Sequence, residues 1–139
     1  MNSTTSKVAV IGAGNVGAAV ANALVLLRKC VTVMLFDRTL SKAQGEAWDI
    51  EDTIPLLWSM DVVPTNRYED LVDSDVIVVT VGVPLKQGQS RLDVLGENVE
   101  ILRSTIKELD RVAPDSIIIV VSNPVDVQHA GGDRQFTKI

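Results

Sequence analysis

The sequence is poor in the residue types that build disulfides and metal sites. It contains one cysteine, Cys30, and one histidine, His129, among 139 residues. A single cysteine cannot form a disulfide within the chain, which suggests a reducing compartment, and one histidine without a Cys-x-x-Cys motif predicts no metal site. We interpret Cys30, beside a predicted strand, as a half-buried small apolar residue rather than as a nucleophile.

The sequence also lacks an excess of positive charge and any long apolar run. Its formal net charge is -5, which argues against a general nucleic-acid or membrane-surface binder. No stretch is long enough to span a membrane, and the polar start of the chain does not resemble a signal peptide. These features predict a cytoplasmic protein with no nucleic-acid or membrane partner, and the length fits one globular domain.

What the chain does contain is a glycine-rich turn between a predicted strand, Lys7–Ile11, and a predicted helix. The turn reads Gly-Ala-Gly-Asn-Val-Gly over residues 12–17. Gly12 permits a tight turn, Gly14 lets the backbone approach a pyrophosphate, and Gly17 lets the helix pack on the strand. The first N–H groups of the helix would then face the anion. Taken alone, this motif is weak evidence, because glycine turns are common.

A carboxylate follows the second predicted strand at the spacing of a dinucleotide site. The strand covers Val31–Phe36, and Asp37 lies 20 residues after Gly17. Such a carboxylate accepts hydrogen bonds from the adenosine ribose hydroxyls and repels a 2′-phosphate, which favours NAD as the cofactor. Two alternatives stay open: Asp37 as a cap of the next turn, and NADP, because the guanidinium of Arg38 is able to meet a 2′-phosphate.

Strands and helices alternate along the rest of the chain. We predict a helix with Ser41 as its N-cap that runs through Ala43, Ala47, Trp48 and Ile50, a turn and short helix over Asn66–Leu71, a helix over Leu92–Val112, and strands at Asp61–Pro64, Val76–Val81 and Ser116–Val121. This order predicts an α/β fold, a doubly wound, mostly parallel sheet with helices on both faces. Ligands bind at the carboxyl ends of such strands, where Gly12, Asp37, Gly82 and Asn123 all fall. The apolar Leu56–Trp58 is core or, if exposed, a partner surface.

Two later motifs complete a resemblance to a known family. Residues 88–93 read Gly-Gln-Ser-Arg-Leu-Asp, and residues 122–126 read Ser-Asn-Pro-Val-Asp. Together with the glycine turn and Asp37, they resemble the L-lactate/malate dehydrogenase family from about Lys7 to Val127. The resemblance implies the amino-terminal, NAD-binding domain of Rossmann type. It also implies a small 2-oxo or 2-hydroxy acid as the substrate, and a homo-oligomer for full-length members.

The resemblance further implies roles for individual residues. Arg91 matches the loop arginine that closes over the substrate and polarises its carbonyl, and Asn123 matches the asparagine that bonds the substrate oxygen. Negative charge builds on that oxygen during hydride transfer, and a guanidinium delivered by a closing loop stabilises it. Without the resemblance, Arg91 would be a solvated loop charge and Asn123 a turn former. The other implied cofactor contacts are Asn15, Val16, Lys42, Tyr68, Gly82, Val83, Ser104, Val121 and Ser122.

One position departs from the family in a way that bears on the substrate. Leu85 lies six residues before Arg91, where lactate-type members usually have glutamine and malate-type members have arginine. Leucine offers no partner to a second carboxylate, and burying an unpaired charge is costly. We therefore predict lactate-like specificity for pyruvate or branched 2-oxo acids over oxaloacetate, with malate dehydrogenase as the alternative.

The resemblance stops after Val127. We divide the chain into a leader, residues 1–6, a dinucleotide-binding domain, residues 7–127, and a tail outside the family pattern, residues 128–139. In the family, the acid/base histidine and the arginine that binds the substrate carboxylate come from a catalytic half that has no match here, and His129 is in the wrong place. We expect a chain that binds NAD without turnover, with a non-catalytic NAD-binding isoform as the alternative.

Overall fold

The computed structural model describes residues 6–55, 59–122 and 137–138. The strands are β1 (Lys7–Ile11), β2 (Thr32–Phe36), β3 (Asp61–Thr65), β4 (Val76–Val79), β5 (Ile117–Val120) and β6 (Thr137–Lys138). The helices are α1 (Asn15–Leu26), α2 (Leu40–Glu51) and α3 (Leu95–Val112), with a 3-10 turn at Tyr68–Leu71. The strands form one sheet in the order β3-β2-β1-β4-β5-β6, and every pair is parallel.

Each face of the sheet carries its own apolar core. One core contains Val10 and Val78 together with Ala21 of α1 and Ala47 of α2. The other core contains Ile11 and Val79 of the same strands, with Leu71, Leu102 and Leu109 from the 3-10 turn and α3. Neighbouring residues of β1 and β4 thus point to opposite cores, which is why both strands read as unbroken apolar runs. The predicted doubly wound sheet is confirmed.

Two helix starts differ from the prediction. The N-cap of α2 is Thr39, not Ser41, because the Thr39 carbonyl already accepts the Lys42 N–H at 3.0 Å. The helix α3 begins at Leu95 rather than Leu92. The residues just before it form a separate turn, in which Ser90 N–H donates to Asp93 Oδ2 at 2.7 Å. In each case a local hydrogen bond, rather than the spacing of apolar residues, sets the residue at which the helix begins.

The strand β5, between β4 and β6, is covered unequally on its two faces. Ile118 is 1% exposed and Val120 is 7% exposed, whereas Ile117 is 57% and Val121 is 42% exposed. No pattern in the sequence predicted β6, which pairs with β5 through Ile119↔Thr137 and Val120↔Lys138. Leu56–Trp58 lies outside the described residues.

The described residues contain neither a membrane-spanning helix nor a cluster of metal ligands. No helix among them is long and apolar enough to cross a membrane. No group of three histidine, cysteine, aspartate or glutamate side chains in this part of the chain could hold a metal ion.

Candidate functional site

The glycine turn is held by a close crossing of α1 over the end of β1. A Cβ added to Gly17 would lie 1.7 Å from the Gly12 carbonyl oxygen, so only glycine fits there. Gly12 has φ +103°, a conformation that glycine adopts readily and other residues rarely do. The Thr80 hydroxyl, at the end of β4, donates to the Ile11 carbonyl oxygen at 2.9 Å and lies 3.2 Å from that of Gly12. β4 therefore supports the turn from the side.

Gly14 is different because no described part of the chain requires glycine at this position. It is the N-cap of α1, in an extended conformation, and its carbonyl accepts the Ala18 N–H at 2.8 Å. A Cβ at Gly14 would meet no described atom within 4 Å. The space in front of the first turn of α1 is open, as the approach of a pyrophosphate to the helix N–H groups requires.

The Asp37 carboxylate is fixed by two backbone groups. Its Oδ2 accepts the Ala13 N–H of the glycine turn at 3.0 Å, and its Oδ1 accepts the Thr39 N–H at 2.9 Å. The Lys42 ammonium lies 4.0 Å from Oδ2, and the Asp37 side chain is 17% exposed. Asp37 thus caps the following turn, as the alternative interpretation held. Each oxygen keeps a lone pair for a ribose hydroxyl, so the two roles are compatible.

A cleft of about 200 Å³ lies at this edge of the sheet. Seven of the predicted site residues line it: Gly12, Gly14, Asp37, Arg38, Lys42, Tyr68 and Gly82. Five lining residues were not predicted: Phe36, Thr80, Val81, Ile101 and Thr105. The Phe36 and Tyr68 rings pack with centroids 4.5 Å apart, so one wall of the cleft is aromatic.

The unpredicted lining residues differ in how visible they are in the sequence. Thr80 is a polar residue at the end of an apolar run, and this position in the sequence could have indicated a role at the end of the strand. Ile101 and Thr105 lie one turn apart on α3 and both line the cleft. Thr105 is 1% exposed but falls outside the apolar stripe of α3. No local pattern shows that this face of α3 meets the glycine turn.

The loop between β4 and α3 carries Leu85 and Arg91 away from the cleft. Near the start of this loop, the Val83 N–H donates to Asn98 Oδ1 at 2.6 Å. Arg91 is exposed, and its side chain has no hydrogen bond or ion pair within the described part of the chain. Leu85 is 49% exposed. Neither residue lines the cleft in this arrangement.

The remaining predicted residues lie around the rim or outside it. Asn15 and Val16 are exposed in the first turn of α1. Ser104 is exposed on α3, and its hydroxyl donates back to the Ile101 carbonyl at 2.9 Å. Val121 and Ser122 follow β5, with the Ser122 hydroxyl 3.3 Å from the Val79 carbonyl oxygen. Asn123 is outside the described residues.

Cys30 has no part in this site. It is buried in the core beneath α1 and α2, and burial raises the pKa of its thiol. A buried thiol with a raised pKa is a poor nucleophile, which agrees with its interpretation as a small apolar residue.

Comparison with known proteins gives one family. A family model described as lactate/malate dehydrogenase, NAD binding domain, matches residues 6–132. A malate dehydrogenase of Nitrosococcus oceani is 40% identical and aligns with 92% of this chain and 43% of its own length. An L-lactate dehydrogenase of Clostridium botulinum is 39% identical and aligns with 88% of this chain and 38% of its own length.

The similarity extends to solved structures. A lactate dehydrogenase of Cryptosporidium parvum, complexed with lactic acid and β-nicotinamide adenine dinucleotide, superposes with a TM-score of 0.79 at 30% identity. That match covers 87% of this chain and 38% of the other. The chain thus spans about two fifths of the length of its curated relatives. Lactate-type and malate-type relatives are almost equally similar to it.

Proposed function

The chain belongs to the lactate/malate dehydrogenase family as its NAD-binding domain, and from this premise we propose that its cleft serves an L-2-hydroxyacid dehydrogenase of the lactate type. In that role the protein interconverts an L-2-hydroxy acid and its 2-oxo acid. One observation supports the cofactor's place most strongly: the open space at Gly14 and the Asp37 carboxylate border the same cleft.

The residues of the cleft fit the parts of a dinucleotide. The N–H groups in the first turn of α1 would bind the pyrophosphate, since a Cβ at Gly14 would meet no described atom within 4 Å. Asp37 would accept a ribose hydroxyl with the lone pairs that Ala13 and Thr39 leave free. Tyr68 and Lys42, which line the cleft, would contact the adenosine.

The reacting end of the site involves the loop and the end of β5. Bound NAD supplies the hydride acceptor, and NADH the donor, of the reaction. We propose that Arg91 moves over the substrate and stabilises the charge on its carbonyl oxygen, while Asn123 donates a hydrogen bond to that oxygen. The exposed side chain of Arg91 has no described partner to leave before such a movement. Loop closure also excludes water, which strengthens these charge interactions.

Leu85 supports the lactate-type assignment. On loop closure it would face the substrate's side chain, where an apolar residue gives a second carboxylate no partner. We therefore propose pyruvate or branched 2-oxo acids as substrates. We also propose a cytoplasmic location, from the sequence features given above, and a homo-oligomer as the working form, as the family resemblance implies for full-length members.

The first experiment is a titration of the 139-residue chain with NADH, followed by fluorescence and calorimetry. We expect saturable binding of NADH and NAD, and no binding of S-adenosylmethionine as the control ligand. A folded chain that binds neither NADH nor NAD would contradict the proposed function. We expect no pyruvate turnover by this chain, since the family's acid/base histidine has no matching position in it.

A test of the proposed substrates requires a complete enzyme, because the catalytic half of the family has no match in this chain. Residues 6–132 can replace the matching segment of the Clostridium botulinum L-lactate dehydrogenase, with Leu85, Leu85→Gln and Leu85→Arg as three versions of the chimera. We expect pyruvate and 2-oxoisocaproate to be reduced in preference to oxaloacetate with Leu85, and the preference to reverse with Leu85→Arg. A chimera with Leu85 that prefers oxaloacetate would show the substrate assignment to be wrong.

A further inference from the structure

We propose that the hydroxyl of Thr105 recognises the cofactor's adenine by a hydrogen bond to the edge of the base. The inference rests on the proposed function, since it concerns the adenosine part of the same cleft. It gives a role to a residue of α3 that neither the sequence motifs nor the family resemblance singles out, and that role is contact with the base rather than with the ribose or the phosphates.

The other buried hydroxyl groups of the described chain have partners within it. The structure describes five buried polar residues: Thr65, Ser74, Thr105, Ser116 and Ser122. In four of them the hydroxyl donates to a carboxylate or carbonyl oxygen, at 2.5 to 3.3 Å. The Thr105 side chain is 1% exposed, and its hydroxyl has no hydrogen bond with any residue that the structure describes. A buried hydroxyl without a partner costs free energy, so this group requires an explanation.

The backbone acceptor that a helical threonine commonly uses is taken by a neighbour. A threonine within a helix often donates to a carbonyl one turn earlier, and for Thr105 the residue four positions earlier is Ile101. The Ile101 carbonyl accepts the Ser104 hydroxyl at 2.9 Å, in addition to the backbone N–H of Thr105 that α-helical geometry brings to it. Both lone pairs of that carbonyl are therefore used, and the Thr105 hydroxyl is left for another partner.

Thr105 lines a cleft whose other walls suit a flat base. Four apolar or aromatic residues line the same cleft: Phe36, Tyr68, Val81 and Ile101. A purine has apolar faces and a polar edge, so such walls bind its faces and a precisely placed polar group fixes its edge. Of the two threonines that line the cleft, Thr80 already donates to the Ile11 carbonyl, whereas Thr105 has a free hydroxyl for the base.

The unpaired hydroxyl predicts opposite effects on the free chain and on the complex. A hydroxyl both donates and accepts, so Thr105 can donate to a ring nitrogen of adenine or accept from its 6-amino group. Its side chain is buried within α3, so little freedom is lost when the hydrogen bond forms. Replacing Thr105 by valine, which is also β-branched, should therefore stabilise the free chain and weaken the complex.

The first measurement is urea denaturation of the 139-residue chain without ligand. Threonine and valine have similar helix propensities, so Thr105→Val should raise the denaturation midpoint by about 0.5 M or more through loss of the unpaired hydroxyl. Thr65→Val is the matched control, because the Thr65 hydroxyl is bonded to Asp70 and the same change should lower the midpoint. A midpoint that does not rise in Thr105→Val would overturn the inference, since the hydroxyl would then have a partner in the free chain.

The second measurement is calorimetric titration with NADH, 5′-AMP and four analogues of AMP. Purine riboside 5′-monophosphate lacks the 6-amino group, and the 1-deaza, 3-deaza and 7-deaza analogues each lack one ring nitrogen. We expect Thr105→Val to bind AMP and NADH about threefold to tenfold more weakly than the parent, and Thr105→Ser, which keeps the hydroxyl, to bind them nearly as well. One analogue should show the same loss with the parent, and Thr105→Val should not distinguish that analogue from AMP.

Two binding results would overturn the inference while the proposed function stands. One is an unchanged affinity of Thr105→Val for AMP, and the other is an equal loss for AMP and for every analogue. Thr105→Ala is a second variant without the hydroxyl, in case Thr105→Val does not fold, and it should lose the same discrimination between AMP and the analogue. If the folded parent chain binds neither AMP nor NADH, the proposed function fails, and this inference fails with it.

Discussion

Three glycines of this domain differ in whether, and why, their positions require glycine. At Gly17 the requirement comes from inside the chain, since a Cβ would lie 1.7 Å from the Gly12 oxygen. At Gly14 and at Gly45 of α2, a Cβ would meet no described atom within 4 Å. Gly14, unlike Gly45, lines the cleft, so we propose that the ligand, rather than the chain, requires glycine there.

Replacing Gly17 by alanine should destabilise the fold by roughly 3 kcal/mol, because the carbonyl it strikes is backbone and overpacking is not relieved there. Gly45→Ala is the control. It lies within α2 and should instead add about 0.5–1 kcal/mol of stability. Urea denaturation measures both values. A Gly17→Ala chain as stable as the parent would show that the turn is looser than described.

Gly14→Ala should separate folding from binding. Its extended φ and ψ suit alanine, so the free energy of unfolding should change by less than about 1 kcal/mol. The added methyl group occupies the approach of the pyrophosphate, and NADH affinity should fall by about tenfold or more. A fluorescence titration with NADH measures this, again with Gly45→Ala as the control. Unchanged affinity would place the pyrophosphate elsewhere.

At the scale of elements, the apolar period alone predicted most of the fold. The strands β1 to β5 and the three helices lie where the apolar runs and helical spacings indicated. The predicted starts of α2 and α3 were wrong, because the hydrogen bonds of Thr39, Ser90 and Asp93 set where these helices begin. Such choices between neighbouring polar residues differ by about 1 kcal/mol or less, which a sequence pattern does not resolve.

The site shows the same division. Gly12, Gly14 and Asp37 were predictable because backbone geometry and spacing demand them. Ile101 and Thr105 enter the cleft only through the packing of α3 across the sheet. That contact joins residues far apart in sequence, and no local signal carries it. The loop that carries Arg91 was recognised from its motif. The motif did not predict that Arg91 lies outside the lining of the cleft.

One ion-pair cluster joins the 3-10 turn to α3. Arg111 Nη2 lies 2.8 Å from Glu69 Oε1 and 2.7 Å from Glu108 Oε2. The hydrogen bond from Arg111 is the main cause that lowers the pKa of the Glu69 carboxyl. A lowered folded pKa means that the stabilisation is present above the pKa of unfolded glutamate and is lost as the pH falls through the folded value.

Arg111→Ala should therefore raise the pKa of Glu69 toward its ordinary value. It should also remove the part of the acid dependence of stability that Glu69 contributes. Carboxyl NMR titration of Glu69 measures the pKa directly. Arg103→Ala is the matched control, since Arg103 pairs with Glu100 at 3.8 Å within α3. An unmoved Glu69 in Arg111→Ala would show that this ion pair does not persist in solution.

At the scale of the molecule, the sheet is closed on one face of β5 and open on the other. Ile118 packs in the core with α3, at 1% exposure, while its neighbour Ile117 is 57% exposed. An exposed apolar strip on the face of a sheet favours association between molecules. Among the residues that the structure describes, Ile117 and Val121 form this exposed strip.

Ile117→Thr should lower the binding of a hydrophobic dye and self-association of the 139-residue chain, with a change in the free energy of unfolding below about 0.5 kcal/mol. Ile118→Thr places a hydroxyl in the core and should destabilise by roughly 1–3 kcal/mol. Sedimentation velocity and urea denaturation measure the two effects. Equal destabilisation by both substitutions would mean that Ile117 is covered in solution.

The support of the glycine turn by Thr80 has a consequence for the order in which the protein is made. The hydroxyl that holds the Gly12 carbonyl lies 68 residues further along the chain. At a synthesis rate of roughly 5–20 residues per second, the turn leaves the ribosome about 3 to 14 s before its support. Until β4 has been synthesised, the nascent glycine turn therefore lacks this hydrogen bond, so it gains its full support only with the fourth strand of the sheet.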